Sequence, residues 1–140
     1  MKGIATHWRL IPQRYNLVGT ECSNCGMKFF PPRDICPDCR RAGDIGELRF
    51  SGEGTVYSYT VIHTPPEGFE FQKPYVLGII ELAEGPRLLS QIVDCKPGDV
   101  KIGSRVEKVF RKVIADGSEG IIRYGYKFKL KDPKEKSRML

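Results

Sequence analysis

Histidine is scarce, and with it the usual machinery of acid–base catalysis. The chain of 140 residues holds two, His7 and His63, and neither stands in a nucleophile motif. His63 ends an apolar run beside a turn, where it reads as a hydrogen-bonding residue. The carboxylates Glu53, Glu67, Glu70, Glu81 and Glu84 show no paired acid–base spacing. Gly52-x-Gly54 opens a β-like run rather than a helix, so it is no nucleotide loop. Long apolar stretches are missing too. No run approaches the roughly 20 residues that cross a bilayer, and Met1 to Trp8 lacks a signal-peptide core. A cytoplasmic, membrane-free chain is the expectation.

A basic body is also lacking, despite a formal charge of +6. Residues 1–49 carry 8 basic and 5 acidic side chains, residues 50–126 carry 9 and 10, and residues 127–140 carry 6 and 2. The excess thus lies in the last fourteen residues. A nucleic-acid-binding body should itself be basic, because phosphate neutralisation supplies most of the affinity. The end of the chain reads as a basic, solvated tail over 131–140.

Cysteine is what the chain does have. Cys22-Ser-Asn-Cys25 and Cys36-Pro-Asp-Cys39 form two matched pairs. A two-residue gap lets both thiolates of a pair turn toward one ion, and four thiolates complete a tetrahedral zinc with no position left for water. Gly26 suits the tight turn after the first pair, and Pro37 stiffens the second. The intervening residues 26 to 35 suffice for a short hairpin, as in a rubredoxin-like knuckle pair. Two disulfides or an electron-transferring iron site are the alternatives. In a cytosolic chain metal is favoured over disulfides. A fully coordinated zinc holds structure and hydrolyses nothing. Cys95, the odd fifth cysteine, reads as a small apolar packing residue.

Ahead of the pairs, residues 1–18 carry Trp8, Leu10, Ile11, Tyr15, Leu17 and Val18, too apolar to bury on themselves. Thr6 is placed to cap a short helix there, and Pro12 to interrupt it or open a second turn. Residues 19–49 form the metal module, whose tip Met27-Lys-Phe-Phe-Pro-Pro-Arg33 is unusually apolar. Phe29 or Phe30 covers the metal or faces a partner. The surplus makes Trp8, Tyr15, Phe29 and Phe30 candidate docking anchors, with Arg9, Arg14 and Arg33 at the rim.

From residue 50 to 130 the text is β-rich. Thr55–His63, Tyr75–Glu84 and Arg87–Asp94 are strand-like, the last two joined at Gly85-Pro86, a two-residue hairpin signal. Ile122, Tyr124, Tyr126, Phe128 and Leu130 alternate with Arg123, Gly125, Lys127 and Lys129, which predicts a strand with one buried face. Arg105–Val113 is evenly balanced by pattern. Val106, Val109, Phe110 and Val113 have helical spacing, while three valines between Gly103 and Gly117 favour a strand. Counted as β it is the fifth strand, and five short strands suggest a small Greek-key barrel of the OB type. The long loop His63–Tyr75 joins the first two strands, and its Phe69, Phe71 and Tyr75 either cap the barrel or touch a ligand.

The order of these parts carries a resemblance. Trp8-Arg9 and Arg14-Tyr15 precede Cys22-x-x-Cys25-Gly26, then Phe30-Pro-Pro-Arg33-x-x-Cys36-Pro-x-Cys39. Gly52-x-Gly54-Thr-Val-Tyr-Ser-Tyr-Thr60, Pro74-Tyr75, Glu81-Leu-x-Glu-Gly-Pro-Arg-Leu-Leu89 and Ile102-Gly103-x-x-Val106 follow. The chain resembles, over roughly residues 8–130, the acyl-CoA-associated family that joins a rubredoxin-like zinc ribbon to a C-terminal OB-fold. The resemblance implies a mainly β protein with a short helical N-terminal segment, a five-stranded barrel with Arg105–Val113 as a strand, and one structural zinc on Cys22, Cys25, Cys36 and Cys39. It also implies a non-catalytic subunit bridging acetoacetyl-CoA thiolase and hydroxymethylglutaryl-CoA synthase at the head of the mevalonate route in archaea, with Phe69, Phe71 and Tyr75 candidates for contact with CoA. A single-stranded nucleic-acid module, using Tyr57, Tyr59 and the loop aromatics to stack bases, is the alternative.

Overall fold

A computed structural model describes residues 3–131. The expected basic tail falls outside the described residues except for Lys131, whose ammonium pairs with Glu53.

Two short helices open the chain, α1 (Ile4–Arg9) and α2 (Ile11–Asn16). Pro12 lies in the first turn of α2, where its missing N–H costs nothing. Thr6 caps neither helix. It lies inside α1, whose N-cap is Gly3 with no side-chain hydrogen bond. Leu17 ends α2 in the left-handed conformation, at φ 54°, and is fully buried. That turn sends the chain into β1 (Val18–Cys22), which pairs antiparallel with β2 (Lys28–Phe29) on one side and β3 (Ile45–Arg49) on the other. Gly19 is required in β1. A Cβ there would lie 2.2 Å from the Phe29 carbonyl oxygen and 2.5 Å from the Phe50 ring.

The remaining strands are β4 (Glu53–Ile62), β5 (Tyr75–Leu82), β6 (Arg87–Val93), β7 (Arg105–Ala115) and β8 (Ile122–Leu130). They close a barrel in the order β4-β5-β6-β8-β7, the Greek-key order of an OB-fold. The seam between β6 and β8 is parallel and is held by two register pairs, Ile92 with Phe128 and Val93 with Lys129. Arg105–Val113 is indeed a strand, despite its helical spacing. A bulge between Lys112 and Ile114 lets it follow β8 along its whole length. The β5–β6 hairpin turns through Ala83–Pro86, four residues rather than the two suggested by Gly85-Pro86, with the Leu82 N–H donating to the Pro86 carbonyl.

Val56, Val76, Ile80, Leu82, Leu88, Ile92, Val100, Val106 and Phe128 fill the barrel. Leu17 and Phe50 belong to the same core, and Phe30, Leu48 and Tyr126 pack against it. The small sheet and the barrel therefore share one apolar interior. β8 has a single buried face only where the barrel is closed. Toward Ile122 the β7–β8 hairpin runs past its neighbours, leaving Ile122 and Tyr124 exposed. Lys127 departs from the alternation the other way. It points to the outside of the wall yet is 6% exposed, because the β4–β5 loop lies over it.

Candidate metal centre and docking surface

The first cysteine pair sits at the end of β1 and the turn after it, the second in the loop between β2 and β3. Each pair forms the same knuckle. In the first, the Gly26 N–H donates to the Cys22 carbonyl at 2.7 Å, and in the second the Arg40 N–H donates to the Cys36 carbonyl at 2.9 Å. The residue after each second cysteine is left-handed, Gly26 at φ 78° and Arg40 at φ 50°. Glycine takes this conformation freely, so the first knuckle shows in the sequence and the second hides behind an arginine. Ser23 ties the first knuckle to β3. Its hydroxyl donates to an Asp44 carboxylate oxygen at 2.8 Å, and its N–H to the Asp44 carbonyl at 2.9 Å.

The four Sγ atoms all lie within 4.8 Å of one another. Cys25 and Cys36 have their sulfurs 3.5 Å apart, and all five cysteines are free thiols. A disulfide needs about 2.05 Å, so the two-disulfide alternative does not describe this geometry. The surroundings act on the thiols in opposite directions. The Asn24 side-chain amide donates to Cys39 Sγ at 3.1 Å. The Cys25 backbone N–H, directed at Cys22, pulls that thiol down to about 6 against the opposing effect of burial. At Cys25 the Met27 N–H acts in the same sense, but burial and the Cys36, Cys39 and Cys22 thiols outweigh it and push the group up to about 12. Cys39 is also raised on balance. The Asn24 amide and Cys25 lower it, while burial and the Cys22 and Cys36 thiols raise it. Four sulfurs this close cannot all ionise unaided, and a divalent cation removes the conflict. The donor set therefore fits a structural zinc held by Cys22, Cys25, Cys36 and Cys39. It is the one cluster among the described residues with metal-ligand geometry.

The aromatic residues separate into three groups. Phe29, 7% exposed, packs on the cysteine cluster. Phe30 meets Phe50 edge-on at 6.0 Å and Tyr126 at 5.7 Å, between the small sheet and the barrel. Phe29 is thus buried and Phe30 half-buried, both against the chain's own residues, so neither stands on an open face as the docking expectation would have it. Tyr15 packs edge-on against Phe110 at 5.0 Å, so α2 rests on the β7–β8 hairpin, and Tyr15 too serves the fold. Arg33 lies over the Phe29 ring at 5.3 Å, and its backbone is pinned by Thr20. Trp8 stands apart. It is 71% exposed, as is Ile4, and α1 buries none of its residues. Arg9 beside it is exposed, and Arg14 of α2 is half-buried. On the β4–β5 loop, Phe71 is fully exposed, while Phe69 and Tyr75 sit tilted together at 6.3 Å.

A second apolar face escaped the sequence reading. Ile79 and Leu89 are register partners on the outside of β5 and β6, both exposed, beside exposed Tyr57. Arg87 lies 3.8 Å over the Tyr57 ring and bonds Glu81 at 2.8 Å. The signal was present in Ile79-Ile80 and Leu88-Leu89, where apolar residues occupy both faces of a strand that needs one.

A four-thiolate knuckle pair fused through a shared core to a closed five-stranded barrel defines a zinc-ribbon and OB-fold protein. Family models agree along the chain: the rubredoxin-like zinc ribbon domain of ChsH2 matches residues 11–45, and the ChsH2 C-terminal OB-fold domain matches residues 48–111. A DUF35 domain-containing scaffold protein of Methanocaldococcus jannaschii is 55% identical over 128 residues, 91% of each chain. Its namesake in Methanothermobacter thermautotrophicus is 57% identical over 124 residues, 89% of this chain and 93% of that one. Among solved structures, an Ltp2-ChsH2(DUF35) aldolase chain superposes with a TM-score of 0.68 at 31% identity, covering 93% of this chain and 95% of that one. The chain belongs to the DUF35 family of zinc-ribbon and OB-fold proteins.

Proposed function

We propose that this chain is a non-catalytic scaffold subunit of an acyl-CoA condensing complex, bridging acetoacetyl-CoA thiolase and hydroxymethylglutaryl-CoA synthase. The observation that carries the reading is near-full-length identity above one half to relatives named as scaffold proteins. The likeness to a chain from an Ltp2-ChsH2(DUF35) aldolase supports assembly with an enzyme that makes or breaks carbon–carbon bonds. The pair of enzymes rests on the resemblance of the ordered motifs. Its chemical logic is simple. Condensing two acetyl-CoA molecules is uphill, the synthase step pulls it forward, and holding both enzymes on one subunit raises the local concentration of the intermediate. A four-thiolate zinc contributes architecture and no open coordination site.

Two exposed surfaces are available to bridge, α1 with Ile4 and Trp8, and the β5–β6 face with Ile79 and Leu89. Phe71, exposed on the β4–β5 loop, is the residue this reading assigns to contact with CoA held by a docked enzyme. Co-expression with the two enzymes followed by size-exclusion chromatography tests the reading. A ternary complex is expected, and two enzymes that co-elute equally well without this chain would refute it. The purified chain alone should show no acetyl-CoA condensation and no acyl-CoA hydrolysis, measured by release of free thiol. Trp8→Ala is expected to weaken binding to the enzyme that docks on α1 by about 2 kcal/mol, near thirty-fold. The unfolding free energy of the free chain should change by no more than about 0.5 kcal/mol, because the indole touches little of the fold. Isothermal titration beside thermal melting separates the two effects.

A further inference from the structure

Beyond its two register pairs, the β6–β8 seam forms no further pairing toward Arg87 and Ile122. The barrel wall opens there into a groove of about 560 Å³, a volume ordinary for a small-molecule site. Its walls are mostly apolar, made by Phe69, Tyr75, Leu77, Leu89, Val113 and Tyr124. Lys127 also lines it, at 6% exposure. A buried ammonium normally carries a carboxylate partner. Among the described residues its one hydrogen bond is a long one, 3.4 Å to the Gln72 side-chain oxygen, which already accepts from Gln91 at 3.0 Å. The neighbouring charge is of the same sign. Burial, and then Arg111, push the Lys127 ammonium below the usual lysine range. Arg123 lines the groove as well, and its Nε is buried without a partner even though its terminal nitrogen bonds Asp116 at 3.0 Å.

The fold gains nothing from an uncompensated cation at this depth, and a leucine would cost less. We propose that the groove between β6 and β8 binds a monoanionic small molecule, a carboxylate carried on an apolar body, whose charge pairs with Lys127. Arg14 and Arg123 line the groove too, but both are more exposed than Lys127 and Arg123 is already paired with Asp116, so one negative charge answers the one buried cation. A doubly charged phosphate monoester would bring an excess charge into an apolar cleft and pay for its desolvation. The groove shares Leu89 with the proposed β5–β6 docking face, but it lies within one chain and its occupancy is read on that chain without an enzyme partner.

The test is a two-dimensional amide NMR titration of the zinc-loaded chain with octanoate, octanol and octyl phosphate. Octanoate is expected to saturate shifts at Leu89, Gln91 and Tyr124–Lys127, with at least ten-fold higher affinity than octanol. Lys127→Met should reduce octanoate to the level of octanol, and Lys127→Arg should restore most of the difference. Equal binding of octanoate and octanol overturns the proposal, as does octanoate binding that survives Lys127→Met. Octyl phosphate binding more tightly than octanoate overturns the assignment of a monoanion. Should Lys127→Met fail to fold, the wild-type comparison of octanoate with octanol decides alone.

Discussion

Cys36→Ser is expected to leave the protein without zinc and with β1, β2 and β3 unpaired. Cys36 is fully buried, and it anchors the second knuckle through the Arg40 N–H bond to its carbonyl. Serine keeps the size but offers a hydroxyl of high pKa in place of a thiolate, so one of four charges is lost. The buried core of the small sheet consists of Cys22, Cys36 and Phe29, with Cys39 and Ile45 half-buried against it. Two of its three members are metal ligands, so the metal end of the sheet keeps little apolar burial once the ion leaves, and only the far end, through Leu48 and Phe30, still rests on the barrel core. Metal binding in such modules supplies about 10 kcal/mol or more of folding free energy, well above what the residual contacts provide. Zinc content by mass spectrometry should fall from one equivalent to near zero, and the amide resonances of residues 18–49 should collapse toward random-coil positions. A variant that keeps its zinc and its dispersed ribbon resonances would show that three thiolates suffice.

Phe30→Ala is expected to destabilise the free protein by about 3 kcal/mol, which corresponds to a fall in melting temperature of about 10 °C for a chain of this size. The ring makes edge-on contacts with both Phe50 and Tyr126. Each such pair is worth about 1 kcal/mol beyond its buried area, and truncation leaves a void where the small sheet meets the barrel. Zinc should be retained, because Phe29 and not Phe30 packs on the cysteines. Differential scanning calorimetry with metal analysis checks both parts. An unchanged melting temperature together with lost enzyme binding would return Phe30 to the docking surface. The contrast with Trp8→Ala, where binding falls and stability does not, distinguishes an interior aromatic from a presented one.

The cysteine pairs were legible in the sequence because their logic is local: ligand spacing, a glycine after Cys25, a proline after Cys36; the left-handed turn at Arg40 was not. The strands β4, β5 and β6 were legible from their β-branched and apolar content. For β7 the pattern was evenly balanced, because Val106, Val109, Phe110 and Val113 satisfy a helical stripe as well as a strand with a bulge. Pairing with β8 from Val106 to Ala115 settles the matter through hydrogen bonds that no local window contains. Phe30 could not be placed from sequence, since what covers it comes from Phe50 and Tyr126, twenty and ninety-six positions away. Lys127 read as one of the solvated residues of an alternating strand. Its burial depends on where the β4–β5 loop lies, and alternation carries no information about that.

The common interior of small sheet and barrel has a consequence for the order of events on the ribosome. All ligands of the metal, and all three strands of the small sheet, are present once residue 49 has emerged. The barrel cannot close until β8 emerges, since β8 joins both β6 and β7 and ends at Leu130. At ordinary elongation rates that interval is on the order of ten seconds. Throughout it the metal-loaded module presents Leu17, Phe30 and Leu48 with only Phe50 and the incomplete barrel to cover them, as an apolar template that the later strands condense upon. Zinc supply at the moment of synthesis therefore sets the fate of the barrel as well. In pulse-labelled cells starved of the metal, newly made chains should be lost to proteolysis while chains completed before starvation persist.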